Sequence, residues 1–277
     1  MKKILVSLFV VLAMAVQVNA ATWVAKDRVA PVGQQLLTKN GISIKLTFNV
    51  VEGAADNSET AKTNVVNISS ELLKYAGNDN EVAAAIANEL GHIICCHSDK
   101  SKLLSYVLGG SDAQNEATNT VGTDIISAKM SQKVQEEADV TGVNLMINAG
   151  YNPLALIVWV TKQPGSAMDV LKSRPNNFDR AMTTYKYLTY AYPDKVKAGY
   201  GCQEYRNFLA SADPEMKKLT KSKRKLKKFN KEQAKLIQER KRDLEKYKLN
   251  GGLNSWGVTY DLLTAPTEPA KTEPEKK

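Results

Sequence analysis

Apolar residues recur along this chain in two rhythms, and the points where the rhythm changes divide it into elements. From Val29 to Lys39 they return every three or four residues, which predicts a short helix that Asn40-Gly41 stops. Ile42 to Val51 alternates apolar and polar side chains and is rich in β-branched residues, so it reads as a strand. Glu52 to Thr63 is polar, with Gly, Ala and Asn, and reads as a loop or irregular edge. Asn64 to Ile68 is a second short strand, and Ser69-Ser70-Glu71 opens a short helix ending at Gly77.

The next run is alanine-rich and apolar. Asp79 or Asn80 caps its start, Glu81 lies in its first turn, and it continues to His97. Between Ser98 and Lys129 the signals weaken into a connector with Gly109-Gly110 and a polar Ser/Asn/Thr stretch. A long helix follows from Ile125 to Asn148, ended by Ala149-Gly150, and Pro153 starts an apolar helix over Leu154 to Val160. Phe178 to Tyr192 is amphipathic until Pro193. One long charged helix is predicted from about Pro214 to Leu249, closed by Gly251-Gly252, and a Pro/Glu/Thr/Lys tail follows from Ala265. The fold class expected is α+β, mainly α: a small sheet on two core helices, with a charged helical extension.

The first residues change the picture of where this protein works. Met1-Lys2-Lys3, the apolar run Ile4 to Val16 and the small-residue site at Ala20 read as a secretory signal, residues 1–20, cleaved after Ala20. A periplasmic or secreted protein is expected, and no segment of the mature chain is long enough to span a membrane. In an oxidising compartment the three cysteines allow one disulfide, Cys202 with Cys95 or Cys96, against the alternative of three buried thiols. The boundaries expected are 21–212 for the folded domain, 213–250 for the charged helix and 251–277 for the tail.

Net charge is +9, and nearly all of it is local. Glu215 to Lys248 holds twelve Lys and three Arg against four Glu and one Asp, so the remainder is close to neutral. A helix of this kind docks on its own domain, pairs with another chain, or meets an anionic envelope surface. Nucleic acid is excluded as a partner by export and by the lack of aromatic-basic interleaving.

Asn88, His92 and Cys96 recur every four residues and share one helix face, with Glu89 on the neighbouring row. Asn88-Glu89-Leu90-Gly91-His92 stands in the frame of H-E-x-x-H, where two His hold zinc and the Glu activates water. The second strand and turn, Asn64 to Leu73, this N-E-L-G-H helix, His97, and the later Gln135-Glu136-Glu137-Ala138-Asp139-Val140-Thr141-Gly142 with Ala149-Gly150-Tyr151-Asn152-Pro153 together resemble the HtpX/BepA-type gluzincin zinc metallopeptidases. The similarity covers roughly Ile42 to Tyr187. Such proteins carry H-E-x-G-H on one helix and E-x-E-A-D-x-x-G on another.

The resemblance implies a minigluzincin-like domain, a polypeptide substrate and zinc. Its ligand positions fall on Asn88, His92 and Gln135, its general base on Glu89, and the acid that orients a ligand His on Asp139. Two of these three ligand positions carry amides, which are poor zinc donors, and the chain has only two His. Two arrangements stay open. In one, Asn88 donates to Asp139 and His92 bonds Gln135, and zinc binds weakly or not at all. In the other, metal is held by His92, Cys96 and Glu136. His97 is read as a helix-end or surface residue. The family's His-Pro element before a later Arg corresponds to Ser173-Arg174-Pro175 with Arg180 downstream, so a His is again missing. Two functions follow: a polypeptide-binding relative with proteolysis lost or strongly weakened, or a zinc metalloendopeptidase with remodelled ligands and Glu89 as base.

Overall fold

The computed structural model describes residues 23–57, 59–97, 121–164 and 177–252, with side chains from residue 133 onward in the third segment. In chain order come α1 (Ala25–Lys39), β1 (Thr47–Val51), the single turn α2 (Thr60–Thr63), β2 (Val65–Ser69) and the turn α3 (Ser70–Leu73). They are followed by α4 (Asp79–Ile94), α5 (Val121–Asn148), α6 (Leu154–Lys162), α7 (Asn177–Ala191), α8 (Pro193–Ala198), α9 (Gln203–Thr220) and α10 (Lys223–Leu249). The two strands pair in parallel, Thr47 opposite Val65 through Val51 opposite Ser69. The class is α+β and mainly α, as the periodicity indicates. The expected signal at residues 1–20, most of the connector after Ser98, Ser173-Arg174-Pro175 and the tail lie outside the described residues.

α4 is the axis of the core. Val82 to Ala87, Leu90 and Ile94 are all buried, so apolar side chains cover it almost all round, as expected of a helix enclosed by others. α1, α5 and α6 pack around it. Its start is pinned twice. The Asn78 side chain accepts hydrogen bonds from the amides of Asn80 and Glu81, so the cap lies one residue before the expected Asp79 or Asn80. Asp79 is instead gripped by the Arg28 guanidinium of α1 at 2.9 and 2.7 Å.

The crossing of α4 and α5 explains two glycines. A Cβ on Gly91 would run into the backbone carbonyl of Ala138, and one on Gly142 would lie 2.9 Å from the carbonyl oxygen of Ala87. The helices therefore touch backbone to backbone, which brings the side chains beside these contacts close together. Gly91 is the glycine of the N-E-L-G-H frame, and its reason is steric.

Several boundaries differ from the sequence reading. The first strand is confined to Thr47–Val51, because Ile42 and Leu46 turn into the core ahead of it. The charged segment is two helices: Pro214 lies inside α9, and Ser222 caps a new start for α10. α10 is docked on the domain, burying Phe229, Gln233, Arg240 and Tyr247 along one face. No disulfide joins the cysteines. Cys202 caps α9, accepting from the Tyr205 amide at 3.4 Å, while Cys95 is buried against Thr141 and Arg240. Among the described residues no helix is long and apolar enough to cross a membrane.

Replacing Gly91 by Ala is expected to destabilise the fold by about 1–3 kcal/mol, the usual cost of overpacking against something that cannot give way. Gly201→Ala is the control, since nothing lies within 4 Å of a Cβ there. Urea denaturation midpoints of the two variants check this.

Candidate functional site

The backbone contact between α4 and α5 sets Asn88 and His92 beside Asp139 and Gln135. Asp139 lies at the centre and is almost fully buried. Its Oδ1 accepts from Asn88 Nδ2 at 2.7 Å. The Arg180 guanidinium of α7 closes on the same carboxylate from the other side, Nε to Oδ2 at 3.0 Å and Nη2 to Oδ1 at 2.7 Å. A paired guanidinium is the donor geometry that best compensates a buried carboxylate.

Glu89 points the other way, toward the sheet. The Asn57 amide in the loop after β1 donates to Glu89 Oε2 at 2.9 Å and to the Asn67 carbonyl at 3.0 Å, while its oxygen accepts from the Asn67 amide at 2.7 Å. Asn57 thus pairs with the edge of β2 away from β1 as a neighbouring strand would. Burial pushes the Glu89 carboxyl up to about 7, with the Asn57 hydrogen bond and the charge of Arg180 pulling the other way.

His92 meets His97, their Nδ1 atoms 3.0 Å apart, and hydrogen-bonds the Gln135 side chain. Burial first, then the neighbouring His97, lowers its pKa to about 3, so the ring is neutral at physiological pH. His97 is therefore not a surface residue. It is buried, and its Nε2 lies 3.1 Å from Glu137 Oε2. The cause is local backbone: α4 ends at Ile94, and Cys96 takes a left-handed φ of 58°, which folds His97 back beneath the helix.

The same turn dismantles the remodelled ligand set. Cys96 is beyond the helix, so its four-residue spacing from His92 no longer places it on the same face, and its Sγ bonds the Ile94 carbonyl. Glu136 is exposed and lines a surface pocket with Arg180, Thr183 and Lys186, turned away from Cys96. The residues that do converge are one place removed from each: Cys95 and Glu137, joined by His97. Arg240 of α10 completes this second cluster, Nη1 donating to Cys95 Sγ at 3.1 Å and lying 3.4 Å from Glu137 Oε2. Burial raises the Cys95 thiol pKa, opposed by the Arg240 charge.

Sequence reasoning misses Asn57, Cys95, Glu137 and Arg240. Asn57 sits in a loop with no pattern, and Arg240 is one of many cations in a basic run. Among protein-family models, that of Peptidase family M48 matches residues 24–187, well over half of the chain, taking in these residues except Arg240. Neither the curated proteins nor the solved structures give a match.

Glu89 supplies a pH test. Its folded pKa, about 7, lies above its ordinary 4.5, so the folded state holds this proton more tightly than the unfolded chain. That contribution is full below about pH 4.5 and is lost as pH rises through 7. Glu89→Gln is expected to be more stable than wild type by about 1–3 kcal/mol above pH 7, and equal to it near pH 4. Denaturant melts at the two pH values check this.

Proposed function

The chain belongs to Peptidase family M48, and from that premise we propose that it is an exported, polypeptide-binding member whose zinc-dependent proteolysis is lost or strongly weakened. The observation that carries this reading is the hydrogen bond from Asn88 Nδ2 to Asp139, 2.7 Å long, at the position where the family places an imidazole ligand. Zinc takes imidazole, thiolate or carboxylate donors. Asn88 turns an N–H, not a lone pair, toward its neighbour, and the charge of Asp139 is already matched by Arg180. Gln135 is a neutral amide partnered with His92. These residues do not fit the ion the family uses. Without that Lewis acid, Glu89 has no acidified water from which to take a proton.

The edge of β2 supports a polypeptide as the molecule bound. Asn67 directs both its amide and its carbonyl at Asn57, beside Glu89. An extended peptide that displaced the Asn57 side chain would find the same donor and acceptor, the pattern of strand addition. Export is proposed from the signal-like residues 1–20. The exposed lysines of α10, Lys223 to Lys246, favour an anionic envelope surface as a further partner.

Purified wild-type protein is expected to leave casein uncut and to hold no zinc that depends on Asn88 or Gln135. The pair Asn88→His with Gln135→Glu is expected to gain zinc-dependent cleavage, because it returns the imidazole and carboxylate donors. Stoichiometric zinc in the wild type, with casein cleavage abolished in Glu89→Gln, would overturn the proposal. Export predicts a mature N-terminus at Ala21 in the envelope fraction, and intact Met1 on the protein recovered there would refute it.

A further inference from the structure

Next to the family's ligand positions, and distinct from them, three donors face one another. Cys95 Sγ, a ring nitrogen of His97 and a carboxylate oxygen of Glu137 all lie within 4.8 Å of one another. Cys95 and His97 are buried, and the Glu137 side chain is 12% exposed. His97 Nε2 and Glu137 Oε2 are 3.1 Å apart, a separation that two ligands of one ion adopt. The other ring nitrogen of His97 meets His92 Nδ1 at 3.0 Å, so the imidazole is oriented from behind, as metal-bound imidazoles generally are. Thiolate, imidazole and carboxylate are together the donors of zinc and its thiophilic relatives.

A cation already occupies this place. Arg240 Nη1 contacts both Cys95 Sγ and Glu137 Oε2, its Nη2 lies 3.2 Å from Asp243, and its Nε is buried with no hydrogen-bond partner among the described residues. Arg240 comes from α10, beyond the part of the chain that matches the family. We propose that Cys95, His97 and Glu137 form a site for a thiophilic divalent cation, and that Arg240 is its competing occupant. On binding, the Cys95 S–H bond breaks, its proton passes to solvent and a metal–sulfur bond forms in its place. The guanidinium gives up Cys95 and Glu137 and keeps Asp243, one turn away on its own helix. The three donors close from separations of up to 4.8 Å to reach ordinary metal–ligand lengths. Because Arg240 is one of the side chains anchoring α10, metal binding and the docking of that helix oppose each other.

The test is a cobalt(II) titration of the reduced full-length protein, followed by the thiolate-to-cobalt charge-transfer absorption. The wild type is expected to develop this band, Cys95→Ser to lose it, and His97→Ala to weaken binding by roughly tenfold or more. Arg240→Met is expected to tighten binding by a similar factor, with the neutral Arg240→Gln as the substitute if the methionine variant does not fold. No band in the wild type at millimolar cobalt overturns the site, and so does a band that survives in Cys95→Ser, because the metal then sits on Cys96 or Cys202. Affinity unchanged in the Arg240 variants overturns the competition. Asn88 and Gln135 take no part, so either outcome leaves the reading of the family's own centre where it stands.

Discussion

A carboxylate as deeply buried as Asp139 is tolerated only if something matches its charge and fills its lone pairs. Arg180 does the first with two parallel hydrogen bonds, and Asn88 contributes to the second. These three residues come from α7, α5 and α4, so one interaction joins the helices that carry the site. The crossing at Gly91 and Gly142 makes it possible, because only a backbone-to-backbone contact lets the short Asn88 side chain reach across. Arg180 is also the nearby positive charge that Glu89 and His92 both feel.

Seen from this pair, the centre is a polar interior stabilised by the protein's own cations. Arg180 stands on one side with Asp139, and Arg240 on the other with Glu137 and Cys95. A guanidinium can neutralise a buried acid, but it offers no vacant coordination position and stays permanently protonated. It cannot polarise a water molecule as a metal does. Between the two arginines lies a neutral His92, and Glu89 is turned toward the sheet edge, where Asn57 covers it.

Much of this was legible from residue order. The amphipathic run before Asn40-Gly41, the apolar helix through Ala83 to Ala87 and the paired β-branched stretches all became the elements their periodicity implies. The contacts of Asn88 with Asp139 and of His92 with Gln135 were expected from the family resemblance, which puts these positions on facing helices, and both are present. The misreadings cluster where a helix ends. Treating α4 as continuing to Cys96 put that residue on the His92 face. The stop at Ile94 hands its place to Cys95 and moves His97 from the surface into the interior. The single charged helix likewise became two, because Ser222 caps a fresh start where charge composition shows no break.

The sequence by itself determined the element order and the family, because both depend on residue identity at short, regular spacings. The tertiary structure alone decided which acid meets which cation. Asn57 reaches Glu89 from 32 residues away and Arg240 reaches Cys95 from 145. Pairings over such distances are set by how helices cross and where each one stops, and no local pattern in the chain encodes them.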